Sequence, residues 1–235
     1  MSLRYILFDL DGTLLPMDQD VFVKAYFGGL AKHMIPYGYD PEALVQTIWK
    51  STGAMIKNDG SRTNEEAFWD AFTDVYGKDA RNCEPIFYRF YVESFPDLRK
   101  SCGYNPEVPG LIRKLKEMGF TLALATNPIF PSIATETRMQ WAGLEQSDFA
   151  LFTTYENSSF CKPNPLYYQE VLDKLGAKPE ECLMVGNDAV EDVAAQKLGI
   201  PVFLLTECLI NKHGADISAY PHGDIAALLQ YIQSM

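Results

Sequence analysis

The sequence predicts an α/β fold, a parallel sheet with helices on both faces, with a mainly helical segment set into it. Short apolar runs alternate with longer stretches of helical periodicity. The links between them are short, as in βαβ units. One stretch, residues 16–107, breaks this rhythm and carries no convincing strand.

Residues 4–8 (Arg-Tyr-Ile-Leu-Phe) read as a buried strand ending at Asp9. Residues 120–126, 149–154, 182–186 and 200–206 are four more such runs. Helices are expected between them. Pro109–Met118 opens with proline and stops at Gly119. Phe130–Ala142 stops at Gly143, Pro165–Leu175 at Gly176 and Val190–Leu198 at Gly199. Asp224–Gln233 is a final amphipathic helix. In such sheets ligands sit beyond the carboxyl ends of the strands. Chemistry is therefore to be sought at Asp9 and Asp11, at Thr126 and Asn127, in the loop 155–163, and at Asn187 and Asp188.

Within 16–107 the apolar residues recur at helical spacing: Phe22, Tyr26 and Leu30; Leu44 and Ile48; Phe68, Phe72 and Tyr76. Thr63 and Glu66 have capping-box spacing ahead of Phe68. These 92 residues hold 16 of the chain's 30 aromatics, which predicts a helical bundle with its own aromatic core. Pro16 on the outgoing side and Gly103, Pro106 and Pro109 on the return suit a hinge. The expected boundaries are 1–15 with 108–235 for the core and 16–107 for the helical body. A cleft between the two is expected to contain Asp9 and Lys162. Asp18, Lys57 and Arg62 are weighed as specificity residues, with a solvated surface favoured for each.

The net charge of −11 argues against a nucleic-acid partner, which needs a basic face. No apolar run approaches the ~20 residues of a membrane span, so no membrane partner is expected. The apolar N-terminal run is short and broken by Asp9 and Asp11, unlike a signal peptide, and a cytoplasmic protein is expected. The five cysteines are scattered with no C-x-x-C pair, so reduced thiols are expected rather than a zinc or redox site. Oligomeric state stays open.

Each candidate motif has a bland reading. Asp9-Leu10-Asp11-Gly12-Thr13 can be a strand end and an Asp-Gly turn. Asn127-Pro128 can simply initiate a turn. Lys162 can be a loop lysine, although the prolines at 163 and 165 and a helix start hold it in place. Asp192 can serve a helix dipole. All four motifs nevertheless fall at one edge of one sheet, in the order acid pair, hydroxyl and amide, lysine, acid pair.

This set, Asp9-Leu10-Asp11-Gly12-Thr13, Thr126-Asn127, Lys162-Pro163, and Gly186-Asn187-Asp188 with Asp192, resembles the haloacid dehalogenase-like hydrolase superfamily. The resemblance implies a Rossmann-like core with a separate helical cap inserted after the first motif. It implies a phosphatase acting on a small phosphorylated metabolite. Asp9 is the implied nucleophile, which forms an aspartyl-phosphate, and Asp11 the implied general acid and base. Thr126, Asn127 and Lys162 are implied to hold phosphate oxygens. Mg²⁺ is the implied cofactor, on the Asp9 carboxylate, the Asp11 backbone carbonyl and an acid of the fourth motif. Many members read Gly-Asp where this chain reads Gly186-Asn187. Asp188 is the expected ligand, supported by Asp192; the competing choice is Asn187 through its amide oxygen. A dehalogenase is disfavoured because halide departure needs no proton and Asp11 is present. A phosphotransferase or mutase, and a catalytically silent binding protein on this fold, stay open beside the phosphatase.

Overall fold

The computed structural model describes residues 3–235. Six strands form one parallel sheet in the order β3-β2-β1-β4-β5-β6. They are β1 (Tyr5–Phe8), β2 (Thr121–Leu124), β3 (Leu151–Phe152), β4 (Cys182–Gly186), β5 (Val202–Leu205) and β6 (His222–Gly223). β1 lies at the centre, paired with β2 on one side and β4 on the other. Its side chains alternate between two buried layers, as a central parallel strand requires. Ile6 and Phe8 join one apolar cluster with Leu122, Leu124, Leu183 and Val185, while Leu7 joins Ala123 and Met184 in the other.

Helices cover both layers. α5 (Val108–Glu117), α6 (Ser132–Trp141) and α8 (Ile225–Ser234) share the first cluster, and α7 (Pro165–Leu175) the second. α7 begins where Asn164 accepts from Leu166 N and ends on Gly176 in the left-handed region. α6 starts two residues later than expected, after Pro131, which precedes its first turn. The expected helix 190–198 is instead a turn followed by a 3₁₀ segment, Val193–Leu198. The Asp192 carboxylate takes the amides of Asn187 and Asp188, and this tight loop uses up the residues an α-helical first turn would need.

Residues 19–101 fold as α1 (Gln19–Met34), α2 (Pro41–Ile56), α3 (Asn64–Tyr76), α4 (Glu84–Glu93) and short 3₁₀ segments, with no strand. Asp18 and Asp40 cap α1 and α2 with their carboxylates, and Thr63 with Glu66 forms the capping box of α3. The two connections to the rest of the chain meet: Met17 bridges Cys102, and Gly103 N donates to Pro16 O at 2.7 Å.

Phe72, Phe87, Phe90 and Tyr91 are buried and Phe68 is half-buried. The aromatic core is not self-contained, contrary to the sequence expectation. Phe95 stacks on Trp141 of α6 at 5.2 Å between centroids, and Phe22 and Tyr26 contact Phe130 at 6.4 and 5.3 Å. A body this small buries too little of its own surface to enclose so many rings, so part of the apolar surface is buried against α6 and its leading loop. Among the described residues no helix is long and apolar enough to cross a membrane.

Candidate active site

Asp9 follows β1 at the centre of the carboxyl edge and is 8% exposed. Its Oδ1 accepts from Lys162 Nζ at 2.9 Å, and its Oδ2 from Thr13 Oγ1 at 3.4 Å. Lys162 also donates to Asp192 Oδ1 at 2.6 Å. Asp192 Oδ2 in turn accepts from the amides of Asn187 and Asp188, both at 2.9 Å. One lysine thus joins two strand ends, and the acid behind it shapes the loop after β4.

Two glycines permit this. A Cβ on Gly186 would lie 2.0 Å from Asp192 Oδ2, inside the carboxylate. Gly12 has φ +87°, and a Cβ there would lie 2.2 Å from Asn187 Nδ2. Asn187 is held by both ends of its amide: Oδ1 accepts from Thr13 Oγ1 at 2.9 Å and Nδ2 donates to Cys208 O at 2.7 Å. Asp188 Oδ1 accepts from Val190 N and Glu191 N, at 2.7 and 2.9 Å.

Thr126 is buried after β2, its carbonyl accepting from Thr153 Oγ1 at 2.6 Å and Tyr167 Oη at 2.9 Å. Asn127 Oδ1 accepts from Lys162 N at 3.2 Å, and its Nδ2 donates to Glu191 Oε2 at 3.0 Å. The Asn127 side chain therefore braces Lys162 and Glu191.

Asp11 has a partner that sequence reasoning missed. Arg138 of α6, 1% exposed, donates Nη1 to Asp11 Oδ2 at 2.6 Å. Its guanidinium also lies 4.3 Å from the centroid of Phe130 and 6.0 Å from that of Phe22. Asp11 Oδ1 is buried and has no partner among the described residues. A charged residue on the otherwise apolar helix stripe of Ala134, Met139 and Trp141 was the available signal. Glu191 and Thr13 were also missed; they sit inside motifs whose other residues drew the attention.

Burial pushes the Asp9 carboxyl up to about 7; the Lys162 ammonium opposes the rise, and Asp192 and Asp11 add to it. Burial likewise raises Asp11, against Arg138 and Lys162. Burial works to neutralise Lys162, but Asp192 and Asp9 outweigh it and hold the lysine protonated well above its ordinary range. Burial pushes Glu191 up to about 7, with Lys162 opposing.

Above this edge lies a cleft of about 270 Å³ between α1–α4 and the strand ends. Asp9, Asp11, Thr126, Asn127, Asn187, Asp188 and Asp192 line it. Lys162 does not; it is buried behind Asp9, contrary to the expectation that the cleft contains it. Asp18, Lys57 and Arg62 are absent from the lining: Asp18 caps α1, Arg62 pairs with Asp70 on the surface, and Lys57 is exposed.

The profile of the haloacid dehalogenase-like hydrolases matches residues 3–199. A phosphoglycolate phosphatase of Vibrio vulnificus is 30% identical, over 93% of this chain and 89% of its own. The pyrophosphatase PpaX of Oceanobacillus iheyensis is 25% identical, over 85% and 82%. Among solved structures, a 2-haloacid dehalogenase from Pseudomonas syringae pv. tomato superposes with TM-score 0.65 at 20% identity, covering 99% of this chain and 98% of that one. A predicted phosphoglycolate phosphatase from Haemophilus somnus gives TM-score 0.60 at 19% identity, covering 98% of each chain. At such identities the structural likeness speaks for the fold alone. The profile match spans most of the chain and includes each of the four motifs gathered at the sheet edge, so the chain belongs to the haloacid dehalogenase-like hydrolases.

Proposed function

We propose that the protein is a magnesium-dependent phosphatase that hydrolyses a small phosphomonoester through an aspartyl-phosphate on Asp9. The observation that supports it most is the pair Asp9 and Asp11 on the cleft, one carboxylate backed by Lys162 and the other by Arg138. Two acids in one cleft with different partners suit two roles.

Asp9 attacks phosphorus and the alcohol leaves with a proton from Asp11. Asp11, now ionised and steadied by Arg138, takes a proton from the water that cleaves the acyl phosphate. Lys162 neutralises charge beside Asp9 and holds it in register. Thr126 binds a phosphate oxygen through its hydroxyl. Asn127 contributes through its backbone N–H, because its side chain is engaged with Lys162 and Glu191.

The donor set fits a hard cation that keeps several waters: the carboxylates of Asp9 and Asp188 and the carbonyl of Asp11. Asp188 is favoured over Asn187, because Asn187 is tied to Thr13 and Cys208 while only Oδ1 of Asp188 is bonded among the described residues. Magnesium would supply charge neutralisation between Asp9 and the anionic substrate. The five free cysteines suit a cytoplasmic setting.

Asp11 is also what favours phosphatase over dehalogenase chemistry here, since halide departure needs no acid. The test is phosphate release from p-nitrophenyl phosphate with Mg²⁺, with EDTA, and with Asp9→Asn. Turnover should require Mg²⁺ and fall below about a hundredth in Asp9→Asn, as loss of a nucleophile costs far more than that. Metal-independent turnover, or an active Asp9→Asn, sinks the reading.

A further inference from the structure

The cleft is unusual in what its walls lack. Ten of its twenty-six lining residues are aromatic, and its one basic residue is Arg138. That guanidinium is already committed to Asp11 and to the face of Phe130. The cap side presents rings such as Phe27, Trp49 and Phe68, with Gln19 and Thr52 as its uncharged polar members. Two tyrosines of the lining, Tyr26 and Tyr91, spend their hydroxyls on each other at 2.9 Å. The indole N–H of Trp69 is buried, with the Tyr155 hydroxyl as its neighbour on the same wall.

The phosphoryl end of a substrate is fixed at Asp9, so its alcohol part projects into this chamber. An anionic alcohol part, such as a carboxylate or a second phosphate, would be desolvated there with no free side-chain cation to receive it. It would also face Asp11, Asp188 and Glu191. An uncharged ring, by contrast, loses nothing on leaving water and gains edge and face contacts. Size agrees: an apolar cavity of ~150 Å³ holds one benzene ring, and the cleft offers about 270 Å³ for ring and phosphate together.

We infer that the natural substrate is a phosphomonoester of an uncharged alcohol that is aromatic or comparably apolar and about one ring in size. This rests on the phosphatase reading of the same site. It sets the chain apart from its relatives named for phosphoglycolate and pyrophosphate.

The test compares kcat/KM for benzyl phosphate, phosphoglycolate and pyrophosphate with Mg²⁺. Benzyl phosphate and phosphoglycolate both release an alkoxide, so their ratio reports the chamber and not the leaving group. At least a ten-fold preference for benzyl phosphate is expected. Parity, or preference for either anion, overturns the inference while leaving the phosphatase reading intact. Thr52→Lys adds a cation to the half-buried cleft face of α2 and should shift the ratio toward phosphoglycolate several-fold; an unchanged ratio in a folded variant counts against the inference. If no phosphate ester is turned over, p-nitrophenyl phosphate included, the phosphatase reading falls. Calorimetric titration with benzylphosphonate and phosphonoacetate then judges the chamber by itself: tighter benzylphosphonate supports it, and equal or weaker binding overturns it.

Discussion

In the proposed mechanism Asp11, two residues from Asp9, holds a proton in one step and releases it in the next. On that reading Arg138 sets the balance, since it meets Asp11 Oδ2 at 2.6 Å while Oδ1 has no partner among the described residues. Arg138→Met should therefore cost ~10-fold or more in kcat on alkyl phosphates, a part of the 10²–10⁴ that acid–base catalysis supplies, and less on aryl phosphates, which depart with little protonation. Arg138→Lys should restore part of the loss. Equal losses on both substrate classes would mark the arginine as a packing element only. Asp9 offers a second measurement. Its folded-state pKa is raised to about 7 by burial. A raised pKa means the protonated form favours folding: that contribution is complete below the unfolded value near 4 and is lost as pH rises through 7. In EDTA, Asp9→Asn should then melt above the wild type at pH 8, and the gap should close toward pH 4. An acid-side gap that exceeds the alkaline one would refute the sign.

At the scale of elements, the loop after β4 depends on a missing side chain. A methyl on Gly186 would overlap the Asp192 carboxylate that holds Lys162 and two loop amides. Gly186→Ala should destabilise by about 1–3 kcal/mol, the usual range for overpacking, and should loosen Lys162, lowering turnover as well. Urea denaturation and kcat check both; a neutral variant would show the loop to be pliant. The same loop shows where sequence reading stops. β1 and its Asp9 were legible because an apolar run bounded by acids is a local signal. The 3₁₀ turn at 193–198 was not, since it depends on Asp192 folding back onto amides four and five residues earlier. β6, two residues long, was missed because only its pairing with β5 makes it a strand. Arg138 was missed because its partner lies 127 residues away.

Across the whole molecule, the helical segment and the sheet domain share one apolar cluster through Phe95, Trp141 and Phe130. The sequence showed that residues 16–107 are helical and aromatic. It could not show that the rings would continue into α6, because that contact is set by how the two bodies meet. A shared core predicts one cooperative unfolding transition. Far-ultraviolet dichroism and tryptophan fluorescence should give coincident melts, since Trp49 and Trp69 report the helical segment and Trp141 the junction. Two separated transitions would show the bodies to be independent. Trp141→Ala should cost about 3–5 kcal/mol, the range for large aromatic deletions, and should weaken the junction first.

The placing of β1 between β2 and β4 also has a consequence for how the protein is made. Asp9 leaves the ribosome 153 residues before Lys162, its ion-pair partner. At ~5–20 residues per second that is a wait of roughly 8–30 s. During translation the strand that leads to Asp9 has no neighbour to pair with until residue 121 emerges, and no second neighbour until residue 182. A nascent chain paused before β2 emerges holds an apolar strand with both edges open, and one paused between β2 and β4 holds it with one edge open. Stalled or truncated chains of this protein thus expose β edges that invite pairing with other chains, and the Asp9–Lys162 pair forms only with the final third of the polypeptide.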